Sequence, residues 1–122
     1  MIPFFSIVIP LYNKQNFIAN TVQSVLNQDF SDFELLIIDD CSTDKSKYIA
    51  TQFNDSRIKI ISHQINKGLS ATRNTGIKIA ASKFIAFLDA DDLWKPSFLS
   101  EISHLITKFP EASLYATNYE EI

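Results

Sequence analysis

Three carboxylates, Asp89, Asp91 and Asp92, fall within four residues, directly after the apolar run KFIAFL (Lys83–Leu88). Acids this close repel one another: at an effective dielectric of about 20, two unit charges about 4 Å apart cost roughly 4 kcal/mol. A divalent cation removes that cost, and hard carboxylate oxygens suit Mg²⁺ or Mn²⁺. Such an ion keeps waters and takes substrate phosphates into its shell, so an acidic site can accept a diphosphate that it would otherwise repel. A solvated acidic loop capping a helix fits the cluster alone equally well.

Two more polar clusters stand at the ends of apolar runs. Tyr12-Asn13 follows FFSIVIP (Phe4–Pro10), and Asp39-Asp40 follows FELLII (Phe33–Ile38). Short apolar runs rich in β-branched residues read as strands buried on both faces. Open α/β sheets bind ligands at the carboxyl ends of their strands, so clusters far apart in sequence converge in space.

The intervening segments read as helices and further strands. Asn16 to Gln28 places Phe17, Ile18, Thr21, Val22, Val25 and Leu26 on one stripe. Ser42-Thr43-Asp44 offers a hydroxyl cap and an acid in the first turn of a helix reaching about Phe53. Arg57–Ser62 alternates as a third strand, Gly68–Ala81 is a helix with Leu69, Ile77 and Ala80 inward, and Lys83–Leu88 is a fourth strand. Pro96 and Ser97 open a helix carrying Phe98, Leu99, Ile102, Leu105 and Ile106, and Ala112–Thr117 is a candidate fifth strand. Alternating strands and helices imply a parallel α/β sheet covered by helices.

The 122 residues suit one compact domain. Net charge is −3 and no basic run occurs, which argues against nucleic acid as a partner. The glycines, Gly68 and Gly76, build neither a GxGxxG fingerprint nor a Walker A loop. The lone cysteine, Cys41, excludes an internal disulfide and fits a reducing compartment. With no apolar run of spanning length and no signal-peptide pattern, a cytoplasmic protein is expected, at most peripheral at the inner face of the membrane.

Four segments in order resemble glycosyltransferase family 2 on the GT-A fold: SIVIPLYNK (Ser6–Lys14), LLIIDDCSTD (Leu35–Asp44), NKGLSATRNTGI (Asn66–Ile77) and FLDADD (Phe87–Asp92). The last resembles the family's DxD element. The resemblance implies a GT-A-like (Rossmann-like) mainly parallel sheet with helices on both faces, truncated to the nucleotide-diphosphosugar-binding subdomain, the acceptor-binding half being absent. It implies transfer of a sugar from a nucleotide diphosphosugar to an acceptor hydroxyl with inversion, the acceptor being a saccharide or lipid-linked. The leaving group is a nucleoside diphosphate, whose growing charge a Lewis-acid metal stabilises.

By the same resemblance Pro10 and Tyr12 line the base pocket, with Asn13 in the same turn. Asp40 accepts from the base's N–H, which favours uracil, and Asp39 fixes the loop. Arg73 neutralises phosphate or organises the acid loop, Asp89 reaches ribose or metal, and Asp91 coordinates Mn²⁺ or Mg²⁺. The catalytic base falls beyond residue 122. Cys41 stands where the family often has Gly, which a positive φ would strain, and Thr72 stands where Ala is usual.

Other residues invite blander readings. His63 and His104 lack partners at metal spacing and suit surface or capping roles, Cys41 an inert thiol, and Lys67 a solvated side chain. Trp94 suits packing against the helix that follows it. Three rival functions are weighed. A haloacid-dehalogenase-like phosphatase uses DxD, but on its first strand and with Thr or Val where Leu93 stands. A receiver domain needs a Lys that the segment Tyr115–Tyr119 lacks. A nucleotide- and metal-binding module without catalysis is compatible with every residue above.

Overall fold

The computed structural model describes residues 2–114. Strands β1 (Phe5–Leu11), β2 (Phe33–Asp39), β3 (Ile58–Ser62) and β4 (Phe84–Phe87) alternate with helices α1 (Ile18–Leu26), α2 (Ser46–Thr51), α3 (Leu69–Ile79) and α4 (Phe98–Lys108). All strand pairs are parallel and the order is β3-β2-β1-β4. The register sets Leu11 beside Asp39, and Asp39 beside Ser62.

Period-two alternation explains the layers. Phe5, Ile7, Ile9 and Leu11 of β1 enter one core with Leu35 and Ile37 of β2. Helices α1, α2 and α4 cover that core through residues such as Val22, Ala50 and Leu99. Val8, Leu36 and Ile38 face the opposite side, with Ala80 packed beside them. Among the described helices, α3 is the one that lies on that side. Its residue Gly76 lies so close to β1 that an added Cβ would sit 2.4 Å from a Val8 methyl.

Several extents differ from the sequence reading. Helix α1 begins at Ile18, not Asn16, because Phe17 is its non-helical N-cap with φ −123°, and the ring is half exposed instead of inward. Helix α2 begins at Ser46, since Ser42, Thr43 and Asp44 are engaged by the turn after β1. Asp44 accepts from the Ser46 amide at 2.8 Å and so caps the helix from outside it. The inward residues of α3 are Thr72 and Gly76, while Leu69 and Ile77 are exposed. Ala112–Leu114 form no strand, and Tyr115–Thr117 lie outside the described residues. Trp94 stacks on Phe98 of α4 with centroids 4.4 Å apart. Cys41 does take a left-handed backbone, φ +61°, which for a non-glycine costs about 1 kcal/mol.

The entry to β3 carries a pH-sensitive pair. Arg57 donates to both oxygens of Asp55 at 3.0 and 2.8 Å, with its guanidinium 4.2 Å from the Phe33 ring centroid. The side-chain and amide bonds from Arg57 lower the Asp55 carboxyl from 3.8 to about 2. A depressed acid stabilises the fold above its unfolded pKa and loses that contribution as pH falls through the folded value. Melting temperature should therefore drop as pH is lowered from about 4 to about 2, and Asp55→Asn should flatten that limb.

Candidate functional site

Strands β1, β2 and β3 progress in one direction, and β4 returns to the other side of β1. The order reverses between β1 and β4, so a crevice opens beyond their carboxyl ends. Tyr12 and Lys14 leave β1 there, and Leu88 and Asp89 leave β4, the Leu88 amide still donating to the Val8 carbonyl at 3.0 Å.

The turn after β1 is tied to the loop after β2. Asn13 has φ +49°, a region Asn tolerates better than most residues. Its Oδ1 accepts from the amides of Thr43 (2.8 Å) and Asp44 (3.3 Å), and its own amide donates to Ser42 Oγ at 3.1 Å. The next amide, of Lys14, donates to Ser46 Oγ at 2.7 Å. Two loops that would otherwise move independently become one rim.

Asp40 forms the inner wall and is 3 % exposed. Its Oδ1 accepts from His63 Nδ1 and the Lys67 amide, each at 2.8 Å, and its Oδ2 accepts from the Gly68 amide at 2.9 Å. Gly68 is the N-cap of α3, so a carboxylate from β2 satisfies donors at that helix's positive end. Gly68 has φ +93°, which a side chain would strain. Burial pushes the Asp40 carboxyl up, but the bonds from His63 and the two amides outweigh it and hold the group below its ordinary value. It is an ionised acceptor at neutral pH.

Helix α1 pins the acid loop through a polar stripe. Thr21 Oγ1 reaches the carbonyls of Ala90 (2.9 Å) and Asp92 (2.8 Å), and Ser24 Oγ accepts from the Trp94 amide at 3.2 Å. Gln28 donates to the Lys95 carbonyl at 2.7 Å and accepts from the Leu99 amide at 2.9 Å, capping α4. Ala90 is buried, so Asp89 and Asp91 on either side of it are turned outward.

These parts enclose a cavity of about 430 Å³ whose wall includes Pro10, Tyr12, Lys14, Asp40, Asp89 and Asp91. Thus five of the eight sequence candidates share one cavity. The other three stand around it: Asn13 in the rim, Asp39 buried at the end of β2 with Oδ1 unpaired, and Arg73 on α3. Arg73 approaches Asp89 Oδ1 at 3.4 Å, and Lys14 Nζ approaches Asp91 Oδ2 at 3.5 Å. Both pairs are exposed and contribute little stability. They show instead that each acid at the mouth has a cation within reach. Among the described residues no three His, Cys, Asp or Glu gather as a metal site. Asp89 and Asp91 supply two hard carboxylates on an open wall, which fits an ion that draws its remaining oxygens from water and phosphate.

His63 corrects the sequence reading. It is buried, with Nε2 2.8 Å from Thr75 Oγ1 and Nδ1 on Asp40. It follows β3 directly, and its place at a strand end was the signal that could have found it. Lys14 and Asn66 also reach the cavity without having been singled out. The Lys67 side chain is exposed, as expected, but its amide serves Asp40.

The family model for glycosyl transferase family 2 matches residues 6–121. The chain belongs to this family. It is 39% identical over 117 residues to the UDP-Glc:alpha-D-GlcNAc-diphosphoundecaprenol beta-1,3-glucosyltransferase WfgD of Escherichia coli, covering 96% of this chain and 46% of that protein. A second E. coli enzyme with the same description, WfaP, is 38% identical over 95% of this chain and 46% of its own length. The chain therefore spans under half the length of these curated relatives. Among solved structures, Staphylococcus aureus TarS in complex with UDP-GlcNAc superposes with a TM-score of 0.83 at 31% identity, covering 88% of this chain and 32% of that one. The mannosyltransferase PcManGT of Pyrobaculum calidifontis, in complex with GDP-Man and Mn²⁺, shares the fold: TM-score 0.77, 21% identity, 87% and 33% coverage. No helix among the described residues is long and apolar enough to cross a membrane.

Proposed function

We propose that these residues form the donor-binding half of an inverting glycosyltransferase that moves a sugar from a UDP-sugar to an acceptor hydroxyl. The observation that carries this reading is one cavity bounded at one side by Tyr12 and the ionised Asp40, and at the other by Asp89 and Asp91. A base lies against Pro10 and the Tyr12 ring, with its N–H donated to Asp40. A uracil edge has that N–H; the binding of UDP-GlcNAc by TarS supports the same choice. The diphosphate then extends toward the acid loop, where Lys14 and Arg73 can leave their carboxylate partners for phosphate oxygens. Asp91, with Asp89, would hold Mn²⁺ or Mg²⁺, which when bound supplies Lewis-acid stabilisation of the departing diphosphate.

None of the cavity's acids is assigned as the base that deprotonates the acceptor, because they are committed to donor and metal. The diphosphoundecaprenol-linked acceptor in WfgD's name supports a lipid-linked or saccharide acceptor here, and a lipid-linked one would bring the enzyme to a membrane surface. The alternative reading, a nucleotide- and metal-binding module without catalysis, would be overturned by measurable sugar transfer by the 122 residues.

The test is a calorimetric titration of UDP, GDP and dTDP, each with and without Mn²⁺. The expected result is tightest binding for UDP, strengthened by Mn²⁺. Equal affinity for UDP and GDP, or no response to Mn²⁺, would contradict the base or the metal assignment respectively; thymine presents the same N–H as uracil, so dTDP reports on the ribose hydroxyl and the base's methyl group.

A further inference from the structure

A carboxylate selects a base only if one of its lone pairs is held in a fixed direction. Asp40 has about four lone-pair sites. His63, Lys67 and Gly68 fill three of them, two on Oδ1 and one on Oδ2. One site on Oδ2 is left for a ligand, and Asp40 lines the cavity. The two amide donors belong to the loop before α3, with Lys67 exposed at the surface. His63 is the donor that directly follows β3 of the sheet. Its own amide is fixed to the Asp39 carbonyl at 2.8 Å as β3 ends.

The ring cannot turn freely. A carboxylate oxygen only accepts, so Nδ1 carries the proton directed at Asp40. Nε2 faces Thr75 Oγ1, whose single proton is divided between that nitrogen at 2.8 Å and the Ala71 carbonyl at 3.1 Å. Thr75 lies in the second turn of α3. The ring is therefore clamped between β2 and α3, with its side chain only 5% exposed.

We propose that His63, locked by Thr75, is a positioning residue that sets base selectivity by fixing the open lone pair of Asp40. The proposal rests on the reading of Asp40 as the acceptor for the base. Uracil presents an N–H to this oxygen, whereas cytosine presents a lone pair at the same ring position. Correct aim thus separates UDP from CDP, and a carboxylate free to rotate separates them poorly.

The experiment measures UDP and CDP affinities for the whole chain, at saturating Mn²⁺, in wild type, Asp40→Asn, His63→Leu, His63→Asn and Thr75→Val. His63→Leu should lower the UDP-over-CDP preference by about tenfold or more, the scale of a lost hydrogen bond to a charged group. His63→Asn should restore most of the preference, because the Asn amide can donate from nearly the position of Nδ1. Thr75→Val removes the clamp and keeps the shape, so it should fall between them. Should His63→Leu fail to fold, Thr75→Val and His63→Asn still decide the matter. Equal weakening of UDP and CDP in Thr75→Val or His63→Leu, while Asp40→Asn erases the preference, would overturn the role of His63 alone. A wild-type chain with no preference, or an Asp40→Asn chain that keeps it, would overturn the reading of Asp40 and this inference with it.

Discussion

Replacing Asp91 by Ala should remove the part of UDP binding that depends on Mn²⁺, while binding in the absence of metal falls little or even improves. Loss of a supporting residue around a metal site commonly costs 10–100-fold in metal affinity, so loss of one of two direct carboxylates should cost at least about 100-fold. Among the described residues no group of three His, Cys, Asp or Glu is gathered to hold a metal, so Asp89 is left with little to compensate. Asp91 also engages Lys14 at 3.5 Å, and its removal frees that ammonium for the diphosphate. The metal-free and metal-bound affinities should therefore diverge in the variant. Titration of UDP at fixed Mn²⁺ concentrations, with EDTA as the reference, reads both. An Asp91→Ala chain whose UDP affinity still rises normally with Mn²⁺ would refute the metal role. Asp89→Ala offers a useful contrast, because it releases Arg73 in the same way.

Much of this arrangement is legible in the residues. The apolar runs FSIVIPL and FELLIID are strands because every one of their residues is buried, and β-branched side chains suit that environment. The rule that ligands gather at carboxyl strand ends brings Tyr12, Asp40, Asp89 and Asp91 to one edge, and the structure sets all four around one cavity. The segment Ser42-Thr43-Asp44 was misleading for a physical reason. A hydroxyl followed by an acid satisfies free amides, but the sequence does not say whose. Here Ser42 serves Asn13, Asp44 serves both Gln15 and Ser46, and the helix starts later. His63 escaped because its partners, Asp40 and Thr75, lie 23 and 12 residues away, beyond any local spacing. Buried polar networks leave no periodic trace.

Helix α3 shows the same limit from the packing side, and its correction carries a large prediction. Large apolar residues at helical spacing marked Leu69 and Ile77 as inward, yet Thr72 and Gly76 face the sheet. The approach is too close for a side chain of any size at residue 76. A Cβ there would lie 2.4 Å and 2.9 Å from the two methyls of Val8 and 3.2 Å from its Cβ. Val8 is fully buried in the middle of β1. Branching at Cβ restricts its χ1, and its surroundings are fully buried, so it cannot swing both methyls away. Gly76→Ala would gain about 1 kcal/mol of helix propensity, but overpacking costs about 1–3 kcal/mol and more where backbone must move. We expect a net loss near the top of that range, at about 3 kcal/mol, in a denaturant melt. The displaced helix also carries Gly68, Thr75 and Arg73, so nucleotide affinity should fall even in the fraction that stays folded. The double variant Val8→Ala/Gly76→Ala removes both clashing methyls and should be more stable than Gly76→Ala alone, although Val8→Ala by itself destabilises. Such a reversal of sign is what direct contact between the two positions requires. Simple additivity of the two substitutions would mean that α3 can retreat from the sheet without consequence, and that the closeness of Gly76 to Val8 does not set the position of the helix.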